Sequence, residues 1–356
     1  TPMLHPNGMK VMSVVIENDG AFEQGTTLLP HEKYDSLSRE EIINIIHEAG
    51  IVGMGGAGFP THVKLSPPAD KKIDTIIING AECEPYLTSD HRVMLEKTDR
   101  VVEGLKIILH LFPGAKGYIG IENNKPDAIE AMEKAVENEP NIEVKALKTK
   151  YPQGGERLLV YAITGKEVPS GGLPCDIGCI VQNIDTVVAI ERAVIKGRPL
   201  MRRIVTVSGG AIKEPKNFNV RIGTSTRELI EAAGGFTKEP VKIISGGPMM
   251  GISLYTLDVP VVKGTSAILC LTEEEAKLEK ERNCIRCGKC VEACPMNLLP
   301  CTLNSFVLRD DFESFEKYHG MDCIECGSCS FVCPSNRYLV QSFRTGKCTV
   351  LSNRKK

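Results

Sequence analysis

Apolar residues in this chain change rhythm as it proceeds. From Ile73 to Asn79 they run nearly unbroken, Ile-Asp-Thr-Ile-Ile-Ile-Asn, as in a strand buried on both faces of a parallel sheet. Helical and strand signals alternate around it. Ser38-Arg39-Glu40-Glu41 is a capping box opening a helix through Ile42, Ile45, Ile46 and Ala49, which Gly50 can end. A helical stretch from Arg92 to Leu111 precedes a strand at Gly117 to Ile121, and a helix opened by Pro126 leads to a strand at Ile142 to Leu147. Gly178 to Gln182 then runs into a helix at Asn183. This alternation predicts an α/β domain. After Pro199 the pattern turns to short strands with glycine turns, Ile204 to Ser208 and Val241 to Ser245, with one helix capped by Ser225 and Glu228 and stopped by Gly234. That predicts a β-grasp-like module. Ser266 to Leu271 gives one more strand, and a charged helix is expected from Thr272 to Arg282. Leu303, Phe306, Val307, Phe312 and Phe315 recur at helical spacing, which makes the C-terminal part mostly helical. At the other end, Met9 to Glu17 reads as a strand closed by Asn18-Asp19-Gly20, the tail of a β-domain.

Composition narrows the function classes. With 356 residues, two or three domains are expected. A formal charge of −2 lacks the basic excess of a nucleic-acid binder, and the terminal Arg354-Lys355-Lys356 is too short for a polybasic anchor. No apolar stretch approaches the ~18 residues that cross a bilayer, and no signal peptide is visible, so any membrane role is expected to be peripheral. The chain opens Thr1-Pro2 without an initiator methionine and reads as part of something longer. Fourteen cysteines suit a reducing compartment, which places the protein in the cytoplasm.

Eight of those cysteines form two runs: Cys284, Cys287, Cys290 and Cys294 before Pro295, and Cys323, Cys326, Cys329 and Cys333 before Pro334. Each is C-x2-C-x2-C-x3-C-P, the spacing that wraps three thiolates around one [4Fe–4S] cluster and sends the fourth to the other. One cluster is therefore assigned Cys284, Cys287, Cys290 and Cys333, and the second Cys323, Cys326, Cys329 and Cys294. Zinc prefers separated pairs closing one tetrahedron, and disulfides suit small secreted scaffolds. Neither matches a doubled run. Cys175 and Cys179 lack two further local ligands and read as structural thiols. Cys270, Cys301 and Cys348 are single and expected to be buried, while Cys83 lies between two candidate site carboxylates. His62 and His91 read as ordinary residues near the loops.

Clusters exchange single electrons, so the remaining sequence should show their source or sink. A nicotinamide gives up two electrons as a hydride, and a flavin is the group that handles both kinds of transfer. Gly53-Met54-Gly55-Gly56-Ala57-Gly58-Phe59-Pro60-Thr61 is glycine-rich, with Lys64 following. It does not match the dinucleotide fingerprint, because it follows a helix and a strand comes only after it. Its glycines still let main-chain amides approach an anion, and Lys64 adds a charge suited to phosphate.

These strings, with Asn79-Gly80-Ala81-Glu82-Cys83-Glu84-Pro85 and Tyr151-Pro152-Gln153-Gly154-Gly155-Glu156, resemble the FMN and NADH signatures of the flavoprotein subunit of respiratory complex I. Within that superfamily the chain is most similar to the C-subunit of the Rnf complex, a membrane-associated ferredoxin:NAD oxidoreductase coupled to ion transport. The resemblance covers essentially the whole chain. It implies a Rossmann-like FMN/NADH domain, a β-grasp (SLBB-like) module and a helical dicluster ferredoxin-like domain, with boundaries at 36–200, 201–265 and 266–356 after the tail at 1–35. It also implies that Gly53, Gly55 and Lys64 lie along FMN, with Asn79 and Glu82 on its ribityl or phosphate side. Gly56, Ala57, Phe59 and Glu84 would face NAD(H), and Tyr151, Gly154, Glu156 and Asn183 would form the second wall, Glu156 and Lys64 acting at the hydride step. Flavoproteins of complex I have an acidic residue where Ala81 stands and serine where Cys83 stands, so those contacts are not carried over. Implied partners are the other subunits of a membrane-bound complex, above all a ferredoxin-like iron–sulfur subunit, at the cytoplasmic membrane face. Competing readings are a soluble shuttle serving an amino-acid reductase or hydrogenase, and a non-catalytic redox-sensing scaffold.

Overall fold

The computed structural model describes residues 1–21, 25, 28–277 and 279–354. Its first part is a hairpin of β1 Pro2–Leu4 and antiparallel β2 Lys10–Met12. The strand expected over Met9 to Glu17 therefore ends at Met12. Ser13 still exchanges hydrogen bonds with Thr1, but beyond it no neighbouring strand pairs with the chain among the described residues, and Val14, Val15 and Ile16 are exposed.

The α/β domain begins with α1 Arg39–Glu48, where the Ser38 hydroxyl accepts from the Glu41 amide and the Glu41 carboxylate accepts from the Ser38 amide. Its Ile42 and Ile46 are fully buried. A short helix, α2 Thr61–Lys64, follows the glycine loop. Four parallel strands come next, β3 Thr75–Gly80, β4 Lys116–Glu122, β5 Ile142–Leu147 and β6 Cys179–Asn183, in spatial order β5-β4-β3-β6. Helices cover both faces, which is why Ile76, Ile77 and Ile78 all have 0% exposure. On one face Ile76, Ile78, Ile119 and Ile180 pack with α1, with α4 Thr98–His110, with α5 Pro126–Ala135 and with α7 Ile184–Lys196. On the other, Ile77 and Val181 pack with α6 Glu156–Thr164. Gly104 lets α4 and α7 touch, since a Cβ there would come within 2.3 Å of the Val187 carbonyl oxygen.

The single helix expected from Arg92 to Leu111 is two, α3 Ser89–Glu96 and α4. Lys97 breaks it, with φ −134° and ψ 29° outside the helical range. Apolar periodicity persists through the break, so sequence pattern alone does not reveal it.

The second module holds five strands in order β10-β9-β11-β7-β8: β7 Arg202–Ser208, β8 Lys216–Arg221, β9 Lys242–Ser245, β10 Ile252–Ser253 and β11 Ala267–Leu271. Its helix, α8 Thr226–Ala232, has the capping box of Ser225 and Glu228. β8 and β10, which the apolar pattern does not predict, lie at the two edges, where a strand needs only one apolar face. β11 sits in the sheet's middle, so the boundary placed at 265 falls just before a strand of this same sheet.

The C-terminal body is helical: α9 Lys289–Glu292, α10 Pro300–Val307, α11 Phe312–Lys317, α12 Ser328–Phe331 and α13 Leu339–Asn353. Leu303, Val307, Phe315 and Phe343 form its core, with Phe306 and Phe312 partly buried against it. The charged helix expected from Thr272 to Arg282 is not present among the described residues, and Leu278 lies outside them. Its residues offer no apolar face to bury, and Glu275 instead accepts from the Thr272 and Gly210 amides. Lys355 and Lys356 of the basic terminus also lie outside the described residues.

One buried residue joins the first two modules. Arg203 of β7 forms an ion pair with Asp185 of α7, donates to the Met54 carbonyl at 3.0 Å and to the Thr265 carbonyl at 3.3 Å, and is 3% exposed. Arg203→Met should lower the unfolding free energy by about 3–5 kcal/mol, because Asp185 is left as a buried, unpaired charge. Denaturant unfolding would show this, and adding Asp185→Asn should recover part of the loss.

Candidate functional site

The chain leaves β3, runs outward to β4 and β5, and returns on the other side of β3 as β6. That reversal opens a crevice beyond the C-terminal ends of β3 and β6. Asn79 and Asn183 are paired neighbours at its floor. Asn183 is also the N-cap of α7, its Oδ1 accepting from the Asp185 amide at 2.9 Å while its Nδ2 donates to Asp90 at 2.7 Å. The glycine loop lies against this cap. The Met54 amide donates to Thr186 Oγ1 at 2.9 Å and the Gly53 amide to the Phe59 carbonyl at 2.8 Å. A Cβ on Gly55 would lie 3.2 Å from Asn183 Cβ, so glycine allows the loop to come this close. Gly55, Gly56, Ala57 and Phe59 are exposed or half-exposed, leaving the loop's outer side open.

On the opposite wall, Asn79 Nδ2 donates to the Gly154 carbonyl at 2.8 Å, and the Gly154 amide donates to Cys83 Sγ at 3.3 Å. Glu156 opens α6 and its carboxylate is ion-paired with Lys64, across 92 residues of sequence. The structure thus brings together Gly55, Lys64, Asn79, Gly154, Glu156 and Asn183.

Two of the expected carboxylates are already engaged by the protein. Glu82, held at a left-handed φ of 46°, accepts from the Asp90 amide at 2.7 Å and the His91 amide at 3.0 Å at the start of α3. Glu84 accepts from the Met249 and Met250 amides of the second module at 3.1 and 2.8 Å. Both line a cleft of ≈ 420 Å³ with His91, Lys125, Lys150 and Tyr151. Burial raises both carboxyls and pushes the Cys83 thiol up to about 11. Asp90's carboxyl lies inside although the residue is only partly buried. Burial, with Glu82 and Asp185 nearby, pushes it up to about 8.

Two buried polar atoms close to the crevice's supports, Thr61 Oγ1 and Gln182 Nε2, have no hydrogen-bond partner. With open glycine amides and a lysine, this is a donor set suited to a phosphorylated cofactor such as FMN.

For the clusters, Cys294, Cys323, Cys326 and Cys329 line one apolar cavity, the four predicted to act together. Burial pushes the Cys323 and Cys329 thiols up to about 11 and about 12. Cys284 and Cys287 are exposed. The chain after Cys333 returns beside the first run: the Arg282 amide donates to the Ser335 carbonyl at 2.9 Å, and Arg337 pairs with Glu281 at 3.2 Å. Cys301 packs beside Cys290, Cys270 is buried, and Cys348 is exposed rather than buried because it lies on the outer side of α13. His62 meets His47 edge-on, ring centroids 4.3 Å apart, and His91 pairs with Asp127 at 2.8 Å.

Comparison with known proteins follows these three bodies. Residues 46–192 match the Nuo51 FMN-binding domain, 204–253 the SLBB domain and 283–337 the 4Fe-4S dicluster domain. The chain is 54% identical over 341 residues to the C-subunit of a proton-translocating ferredoxin:NAD(+) oxidoreductase complex from Clostridium ljungdahlii, covering 96% of this chain and 74% of the relative. The chain belongs to the C-subunit family of these Rnf-type complexes. A second family member, from the Na(+)-translocating complex of Acetobacterium woodii, is 49% identical over 352 residues, covering 99% of this chain and 80% of the relative. Among solved structures, an NAD+-reducing [NiFe]-hydrogenase in the H2-reduced state superposes with a TM-score of 0.62 at 18% identity, over 89% of this chain and 64% of that one. Its air-oxidized state gives 0.59 at 18% identity, over 88% and 61%. The family and the order of α/β, SLBB and dicluster modules expected from the sequence are borne out. No helix among the described residues is long and apolar enough to cross a membrane.

Arg203, Asp185, Asp90 and Lys125 carry no motif in the sequence of this Rnf protein. Only the charge at an inward position of β7 hinted at one of them.

Two outcomes are expected. Folded Asp90 keeps its proton from about pH 4, where a carboxyl ordinarily titrates, up to about pH 8, while the unfolded chain has already lost it. Stability should therefore fall as pH rises through that window, and Asp90→Asn should flatten the melting-temperature profile. Cys333→Ser should damage the cluster of the Cys284 run. The signal lost in electron paramagnetic resonance (EPR) should match that of Cys284→Ser, whereas a match to Cys323→Ser would reverse the assignment.

Proposed function

We propose that this protein exchanges a hydride between NAD(H) and FMN in the crevice and passes single electrons between that site and a ferredoxin-like iron–sulfur partner. The reading is carried by one observation: the FMN-binding and dicluster domains lie in a single chain that is 54% identical to a component of a ferredoxin:NAD(+) oxidoreductase complex. The protein is an oxidoreductase component with FMN and two [4Fe–4S] clusters. FMN supplies the conversion between two-electron and one-electron transfer.

The protein's own residues bind and align. Gly55 offers an amide on the open side of the loop to a phosphorylated cofactor, Gly53 holds the loop's shape through its amide on the Phe59 carbonyl, and Lys64 adds a positive charge beside it. Asn79 fixes Gly154, and Glu156 meets Lys64, so one wall is held to the other across the crevice. Gly56, Ala57 and Phe59 present the open surface on the side from which a nicotinamide would enter. Held in this way, two rings would meet without an acid or base at the hydride step. Cys284, Cys287, Cys290 and Cys333 are proposed to hold one cluster, and Cys294, Cys323, Cys326 and Cys329 the other.

The place of work is the cytoplasmic face of the membrane, reached through the other subunits. Family members serve complexes that translocate different ions, so ion selection is assigned to those other subunits.

Anaerobic addition of NADH should bleach the flavin absorbance of the reconstituted protein, and flavin left unbleached would favour the scaffold reading. Lys64→Ala or Glu156→Ala should slow that bleaching by roughly ten- to a hundredfold, the scale of a lost positioning contact. Iron content should stay intact, and an equal loss of iron would mean misfolding instead.

A further inference from the structure

The two cysteine sets meet the rest of the molecule very differently. Around the second run, contacts to both preceding modules are dense. Tyr151 Oη donates to the Cys326 carbonyl at 2.6 Å, with the Glu84 carboxylate beside it. Tyr151 opens the loop whose Gly154 is fixed to Asn79 and Cys83, so a single turn of chain touches the crevice wall and the cysteine turn. A Cβ on Gly327 would come within 2.6 Å of the Met249 carbonyl oxygen, and Arg344 donates to the Met250 carbonyl at 3.2 Å. Just before Cys323, Asp322 accepts from the Gly171 amide at 3.2 Å and pairs with Arg157 of α6 at 3.9 Å. Cys326 is 7% exposed, and Cys329, packed in the C-terminal body's own core, is 8% exposed.

The first run has none of this. Among the described residues, no hydrogen bond or ion pair joins residues 284–294 to either preceding module. Cys284 and Cys287 are exposed, and Ile285 between them is 67% exposed.

We propose that the two sets are inequivalent: Cys294, Cys323, Cys326 and Cys329 form the set that abuts the nucleotide crevice, with the Tyr151 hydroxyl as the positioning contact between them, and the Cys284 set is the outer one, open to a redox partner. The inference rests on the flavin and dicluster reading above. Tyr151 places a hydroxyl hydrogen on the carbonyl of a ligand residue. The bond is to a carbonyl and not to a sulfur, but it turns the positive end of the hydroxyl dipole toward a ligand residue, which favours the reduced, more negative form and raises the potential of the inner set relative to the same site without it.

The test uses the full chain, reconstituted anaerobically with iron, sulfide and FMN, and titrated with dithionite while EPR is recorded. Tyr151→Phe should retain its iron and lower the potential of one cluster only, the one whose signal is lost or altered in Cys326→Ser. A shift in the signal altered by Cys287→Ser instead, or no shift in either, would overturn the inference. A second measurement needs no change at Tyr151. A soluble dysprosium chelate should speed the relaxation of the signal linked to Cys287 and leave that linked to Cys326 slower, and the reverse order would sink the proposal. Neither measurement involves NADH. Failure of NADH to bleach the flavin would therefore remove the functional reading while leaving the order of the two sets decided by these signals.

Discussion

Arg203 leaves β7 with its guanidinium buried and divides its donors among Asp185 at the first turn of α7, the Met54 carbonyl in the glycine loop and the Thr265 carbonyl ahead of β11. The glycine loop is otherwise fixed by the Met54 amide on Thr186, the Gly53 amide on the Phe59 carbonyl and the buried Met54 side chain. Gly55, Gly56 and Ala57 add almost no side chain and lie exposed on its outer side, where the amides are proposed to meet a ligand. A loop of that kind keeps one shape only if its inner carbonyls are held by something rigid. Here the holder comes from a different module. The crevice is therefore complete only when the SLBB sheet is docked on the α/β domain, and Asp185 supplies the charge without which the buried guanidinium would be too costly.

The same logic explains why so many expected ligand residues are engaged with the protein itself. Glu82 closes the N-terminus of α3, Glu84 clamps the Met249–Met250 amides, and Asn183 caps α7. Through these bonds the side chains set the backbone of the loops that line the crevice. Gly247 makes the Glu84 clamp feasible, since a Cβ there would lie 2.2 Å from the carboxylate. A motif such as Asn-Gly-Ala-Glu-Cys-Glu-Pro thus specifies the architecture around a ligand as much as contact with it. Four of its side chains bind other parts of the chain: Asn79 to Gly154, Cys83 to the same residue, Glu82 to the first amides of α3, and Glu84 to the second module.

What the sequence revealed follows from how local each signal is. The buried run at Ile73 to Asn79, the Ser38 and Ser225 capping boxes and the helix opened by Pro126 depend on residues within a turn of one another, and all form as expected. The break at Lys97 was hidden because the apolar stripe continues through it. Edge strands β8 and β10 were hidden because half-exposed strands carry weak alternation. The helix expected from Thr272 failed because charge periodicity without an apolar face gives a helix nothing to pack against. Cysteine spacing pointed to a dicluster body, as the family match bears out, and Cys294 lines one cavity with Cys323, Cys326 and Cys329. The partnership of Lys64 with Glu156, or of Tyr151 with Cys326, lies 92 and 175 residues away in sequence and has no local signature.

These long-range contacts also bear on why the modules occur in this order. The parallel sheet places its crevice at the strand C-termini, where β3, β6 and the Tyr151 loop end together. A dicluster body appended to the chain must then reach that edge. The SLBB sheet provides the route, since β11, its central strand, is the last of the module and hands the chain onward, while the Met249–Met250 turn touches both Glu84 and the Cys323 body. Had the sheet ended on an edge strand instead, nothing in its pairing would fix the direction of that exit. Central placement of β11 between β7 and β9 binds it on both sides, so the chain leaves from a rigid point close to the site it must serve.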